Sequence, residues 1–176
     1  RYWDFPPQAP PGDPAWAPDA GELRAALRDR LEDAVRATME SDVPVGAFLS
    51  GGLDSSIVVA LMSRWSSGPV RTFSVGFRER SYNELPYARL VAERYATEHT
   101  EIVVEPDVPD VVPRLIDAFD EPFADSSAIA AWYVAQAAAG KVKVVLSGDG
   151  GDEVFGGYVI YQADRLAYLY RRLPGV

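Results

Sequence analysis

The chain has 176 residues, 48% hydrophobic and 24% charged, the mixture of a globular domain or part of a larger one and not of a disordered chain. It contains no cysteine, which excludes disulfides, thiolate metal sites and cysteine nucleophiles within these residues and fits a reducing, cytoplasmic setting. A net charge of −9 argues against a nucleic-acid surface, and no apolar run approaches the ~20 residues of a membrane span.

Residues 1–18 hold six prolines and no usable periodicity, so they are expected to be a linker or docking arm preceding a domain over 19–176. Asp19 and Glu22 have capping-box spacing, and Leu23, Leu27, Leu31 and Val35 recur every four residues, which predicts an amphipathic helix ending near Ser41. Strand and helix signals then alternate. VGAFL (45–49) reads as a buried strand, SIVVALMSR (56–64) as a helix, RTFSVGF (71–77) as a strand, LPYARLVAERYA (85–96) as a helix and EIVV (101–104) as a strand. Two further helices are expected over 111–119 and 128–139, a fourth strand over KVKVVL (141–146) and a last helix over 158–171. That alternation predicts an α/β fold, an open and mostly parallel sheet with helices on both faces.

In such sheets ligands gather beyond the carboxyl ends of the strands. The chain's two most unusual turns are both expected there: SGGLDSS (50–56) after the first strand and SGDGGDE (147–153) after the fourth. Paired glycines let a ligand approach the backbone, and successive N–H groups at a helix start make a donor site for phosphate oxygens. Asp54 would repel those phosphates unless a cation intervenes. Magnesium answers that difficulty, being held by one or two carboxylates plus phosphates, with Asp152 the candidate second carboxylate. Neither turn is a Walker loop, since the first has no lysine, and the second carries Glu153 where a dinucleotide fingerprint has its third glycine. Ordinary solvated turns remain the competing reading of each taken alone.

The string SGGLDSS resembles the pyrophosphate loop of the ATP-pyrophosphatase superfamily (adenine nucleotide alpha hydrolase-like). Together with VPVGAFLSGGLDSSIVVALM, TFSVGF, YNELPYARLVA and LSGDGGDEVFGGY, it resembles the synthetase domain of glutamine-dependent asparagine synthetases, a family that includes β-lactam synthetases and lasso-peptide cyclases. The resemblance runs from about Tyr2 onwards. It implies that Ser50, Gly51, Gly52, Asp54 and Ser55 grip the pyrophosphate of ATP. Leu49 and Val75 would hold the adenosine, Ser147 and Gly148 would contact the nucleotide, and Asp54 and Asp152 would bind Mg2+. Asp149 stands where the family often has Glu, a shorter reach towards the reacting groups, and together with Asp152 it is the candidate for a catalytic role. Asp125, Ser126 and Ser127 are candidates for the amino-acid cleft.

The implied reaction adenylates a carboxylate, aspartate first among candidates, with release of pyrophosphate. Ammonia from a separate glutaminase domain, expected N-terminal to this one, then completes an amide. The family's cationic residue facing the acyl-adenylate is expected beyond Val176, so a fragment of this extent is not expected to turn over alone. A related cyclase, another ATP-pyrophosphatase such as an NAD-synthesising or tRNA-thiolating enzyme, and a non-catalytic nucleotide-binding domain are the alternatives; a homodimer is compatible with any of them. His99, the only histidine, is expected to be structural, the acids Asp117, Asp120 and Glu121 to be solvated, and Trp132, Tyr133, Tyr158, Tyr161, Tyr168 and Tyr170 to serve packing.

Overall fold

The computed structural model describes residues 19–79, 83–121 and 123–171, so the expected arm over 1–18 lies outside the described residues. Helix α1 (Ala20–Thr38) opens on Asp19, whose carboxylate accepts from the Gly21 N–H at 2.7 Å and the Glu22 N–H at 3.2 Å. It stops three residues before the expected end. Its leucine stripe meets the core only at the C-terminal half, where Leu31 and Val35 pack on the second helix while Leu23 and Leu27 stay exposed.

Strand β1 (Val45–Phe48) leads into α2 (Leu53–Trp65), and β2 (Arg71–Phe77) into α3 (Leu85–Arg94). Strand β3 (Glu98–Val104) precedes α4 (Val108–Phe119) and α5 (Ser127–Ala139). Strand β4 (Val144–Leu146) is followed by a one-turn helix α6 (Gly151–Phe155) and by α7 (Val159–Tyr170). The departures from expectation share a cause. Strand β3 starts at Glu98 because its first residues pair with Arg71 and Thr72, a partner that a single-strand pattern does not reveal. Lys141 and Val142 instead close α5 through bonds to the Ala138 carbonyl, which shortens β4 to three residues.

All four strands are parallel, in the order β3-β2-β1-β4. The chain steps outward from β1 through β2 to β3, then returns to the other side of β1. The order therefore reverses between β1 and β4, and the crevice where the two connections diverge is the place such sheets offer to a ligand. Alternation along the strands feeds two cores. Ala47, Leu49 and Leu146 join Val59, Met62, Ala88 and Ala92 on one face, while Phe73 packs with Val134, Ala138 and Val142 of the α5 side on the other. Helices cover both faces, as the strand–helix alternation predicts.

Candidate nucleotide site at the β1–β4 crevice

The first turn is built into the core. Leu49 is 1% exposed and continues the β1–β2 pairing through its N–H to the Phe73 carbonyl at 2.9 Å. Its own carbonyl accepts from the hydroxyl of Ser74, a buried side chain. Ser55, also buried, turns its Oγ to the Ser50 N–H at 3.3 Å and lies 3.0 Å from Ser50 Oγ. Ser50 Oγ in turn accepts from the Gly52 N–H at 3.1 Å, so the hydroxyls foreseen as ligand donors also staple the turn to itself. Ser56 donates to the Gly52 carbonyl at 2.6 Å.

Gly51 shows why this turn needs glycine. Its φ is +85°, and a Cβ there would sit 2.5 Å from the backbone of Tyr87 and Ala88 at the start of α3. Helix α2 begins at Leu53, three residues earlier than expected, which moves Asp54 and Ser55 from the loop into the first helical turn. Gly52 caps the helix and no side chain closes it, so its opening N–H groups remain available to an anion.

The second turn meets the first at Asp54. A Cβ on Gly148 would lie 2.7 Å from the Ser55 nitrogen and 2.9 Å from Asp54 Cβ; one on Gly151 would lie 2.5 Å from the Asp54 carboxyl carbon. Glycine at 148 and 151 is thus what lets the two turns close together. Ser147 Oγ accepts from the Asp149 N–H at 3.4 Å, Asp149 is exposed, and Gly150 takes φ +92° as it leads into α6. Asp152 lies in α6, half-buried, with one carboxylate oxygen over Gly157, whose N–H bonds the Asp152 carbonyl at 2.9 Å. Glu153 pairs with the Tyr158 hydroxyl at 2.7 Å; that bond holds the Glu153 carboxyl below its usual range and pushes the Tyr158 phenol up to about 12. Tyr158 packs its ring on Tyr161, as expected, with centroids 5.7 Å apart, and its hydroxyl is also a polar clip for α6.

Val75 lies on β2 one residue beyond Ser74, facing the Phe73 core. Among the described residues no group of three or more His, Asp or Glu side chains forms a metal nest. The Asp54 carboxyl lies against Gly151, whereas the Asp152 carboxylate lies against Gly157.

Asp125, Ser126 and Ser127 lie at the start of α5. Asp125 Oδ1 accepts from the Ser127 N–H at 2.8 Å, which lowers its carboxyl below the ordinary value, and its loop lines an apolar groove with Val112, Ile116 and Phe123. His99 is structural as expected. Its Nδ1 is 2.8 Å from Thr72 Oγ1, its Nε2 is buried 3.3 Å from Glu101 without the alignment of a hydrogen bond, and burial lowers its pKa. Two contributors were missed by sequence reasoning, Ser74 and the start of α3. A signal for the first existed: RTFSVGF places Thr72, Ser74 and Gly76, small or polar, on one strand face where a core would want aliphatics.

The asparagine synthase family model matches residues 26–174. A Methanocaldococcus jannaschii protein provisionally named glutamine-hydrolysing asparagine synthetase 2 is 41% identical over 175 residues, which cover 98% of this chain and 33% of that protein. Glutamine-hydrolysing asparagine synthetase 1 of Bacillus subtilis is 40% identical over 154 residues, 87% of this chain and 24% of that protein. The chain therefore spans about a third or less of the length of these relatives. Among solved structures, the ammonia-dependent NAD synthetase of Campylobacter jejuni superposes with a TM-score of 0.50 at 17% identity, over 76% of this chain and 60% of that one, a likeness of fold.

Proposed function

The chain belongs to the asparagine synthase family, and from that premise we propose that its two facing turns bind ATP for the synthesis of an amide. A substrate carboxylate attacks the α-phosphorus and forms a P–O bond as the bond to the β-phosphate oxygen breaks. The products are an acyl-adenylate and pyrophosphate; ammonia then displaces AMP and leaves the amide. Aspartate is the carboxylate proposed, with ammonia supplied from glutamine by a domain outside these residues and the reaction run in the cytoplasm. Among the described residues no helix is long and apolar enough to cross a membrane.

The observation that carries this reading is the contact of Asp54 with Gly148 and Gly151 at the β1–β4 crevice. Phosphate oxygens would be received by the uncapped N–H groups opening α2, with Ser50, Gly51, Gly52 and Ser55 shaping the turn around them. The adenosine would lie against the main chain near Leu49 and Val75, whose side chains pack into the two cores, and Ser147 and Gly148 would close on the nucleotide. Asp54 and Asp152 would hold magnesium, which when bound offsets charge on the departing pyrophosphate. Asp149, exposed on the second turn, would face the carboxylate substrate. Catalysis here is positioning and electrostatic stabilisation, since no side chain need become covalently attached.

Calorimetric titration of the chain with ATP in the presence of magnesium tests the proposal. Binding that pyrophosphate competes away, and that weakens without magnesium, is the expected result. Absence of binding by a folded chain overturns it.

A further inference from the structure

The turn around Gly51 is held from two directions, and both supports pass through strand β3. On one side the Ser74 hydroxyl bonds the Leu49 carbonyl, one residue before the turn. Ser74 is paired in register with Glu101. On the other side the α3 backbone at Tyr87 and Ala88 fills the space beside Gly51. The residue after Ala88 is Arg89, and its guanidinium makes three hydrogen bonds to Glu101: Nε to Oε1 at 2.8 Å, Nε to Oε2 at 3.0 Å and Nη2 to Oε2 at 2.7 Å. The ring closes: Leu49, Ser74, Glu101, Arg89, Ala88, Gly51.

Helix α3 is seated in the core by Leu85, Ala88 and Ala92, all buried and apolar. It is ten residues long and the side chain of its N-cap residue Glu84 makes no capping bond, although the Asn83 carboxamide oxygen accepts from the Leu85 N–H at 3.1 Å. Leu85 is anchored against Gly76, where a side chain would collide with it. Apolar contacts are non-directional, and the bidentate Arg89–Glu101 pair adds a directional one a turn after Leu85. Arg89 and Glu101 line an open concavity with His99, Thr97 and Glu93.

We propose that the Arg89–Glu101 pair is a positioning device, which sets how tightly the first turn holds the polyphosphate by keeping the start of α3 pressed on Gly51. The pair touches no substrate. It acts through Ala88 and Tyr87, and its loss leaves the donors of the turn present but free to shift. Pre-organised donors bind an anion more tightly than the same donors ordered only on binding. This inference rests on the proposed function for its ligand, while the mechanical part concerns the turn alone.

The test uses the full 176-residue chain and the variants Arg89→Gln, Glu101→Gln and the exchanged pair Arg89→Glu with Glu101→Arg. Amide hydrogen exchange is followed without nucleotide, and MgATP affinity by calorimetry. Each single variant is expected to speed exchange at Ser50 and Gly52 with the β1–β2 amides unchanged, and to raise the MgATP dissociation constant about tenfold. The exchanged pair restores both. Faster exchange at the turn in a chain that does not bind MgATP at all would uphold the clamp and refute the ATP reading. Unchanged turn exchange, or a rise no larger than that in β1 and β2, overturns the clamp, as does unchanged affinity in a parent that binds.

Discussion

The two glycine-rich turns look alike in composition and differ in how they are held. The first is framed on every side: a buried leucine and a buried serine flank it, three serine hydroxyls bond within it, and α3 occupies the space beside Gly51. The second hangs from a three-residue edge strand, its tip at Asp149 and Gly150 is exposed, and open space surrounds the position a Gly150 side chain would take. The first turn is framed by packing throughout, the second only where Gly148 and Gly151 meet Asp54. On the proposed function, the polyphosphate would lie in the framed half and the half bearing Asp149 would receive the carboxylate substrate.

Glycine-to-alanine changes at the positive-φ glycine of each turn, Gly51 and Gly150, put that contrast at its sharpest. Gly51→Ala combines a left-handed backbone with a collision against Tyr87 and Ala88, and is expected to cost roughly 2–5 kcal/mol by urea unfolding. Gly150→Ala carries the backbone penalty alone, about 1–2 kcal/mol. Equal losses would mean the turns are equally framed.

Ser55→Ala comes next. It removes the buried acceptor of the Ser50 N–H, for an expected loss of about 1–3 kcal/mol by the same measurement. Gly151→Ala probes the joint between the turns. It relieves a helix glycine, so stability should hardly move, but the new methyl presses on the Asp54 carboxylate and should weaken MgATP binding about tenfold by calorimetry.

Smaller effects follow pH. Burial depresses the folded pKa of His99 below the ordinary 6.5, so below that value the unfolded chain takes up a proton that the folded chain resists. Stability should be full above pH 6.5 and decline as pH falls from there towards the depressed value, and His99→Gln should flatten that slope in urea midpoints. A second decline is expected at lower pH. The Arg89 hydrogen bond lowers the folded pKa of Glu101 below 4.5, a contribution present above 4.5 and lost as pH falls through the lowered value. Least of all, the Tyr158 phenol should titrate near 12, and Glu153→Gln should return it towards 10.0 by ultraviolet titration.

Much of this was legible in the residues, and the exceptions have a common character. Both turns, Asp54 and the alternating fold follow from local composition and period, because glycine, acid and strand pattern act within a few residues. Tertiary partners decided the rest. Helix α2 starts at Leu53 because Gly52 takes the cap, β3 is lengthened by pairing with β2, and α5 claims Lys141 and Val142 from the expected fourth strand. Ser74 bonds Leu49 across the sheet, and Tyr87 and Ala88 reach Gly51 from 36 and 37 positions away. Nothing in a one-dimensional pattern brings those pairs together.

The central claim is that the two turns grip one metal-bridged polyphosphate jointly. A double-mutant cycle on MgATP binding with Asp54→Asn, Asp152→Asn and the double variant addresses it directly. If both carboxylates hold the same ion, each single change removes most of the magnesium-dependent affinity and the double change adds little more. Two independent losses that simply sum, or tight magnesium-dependent binding that survives either change, would mean the turns do not share the cation.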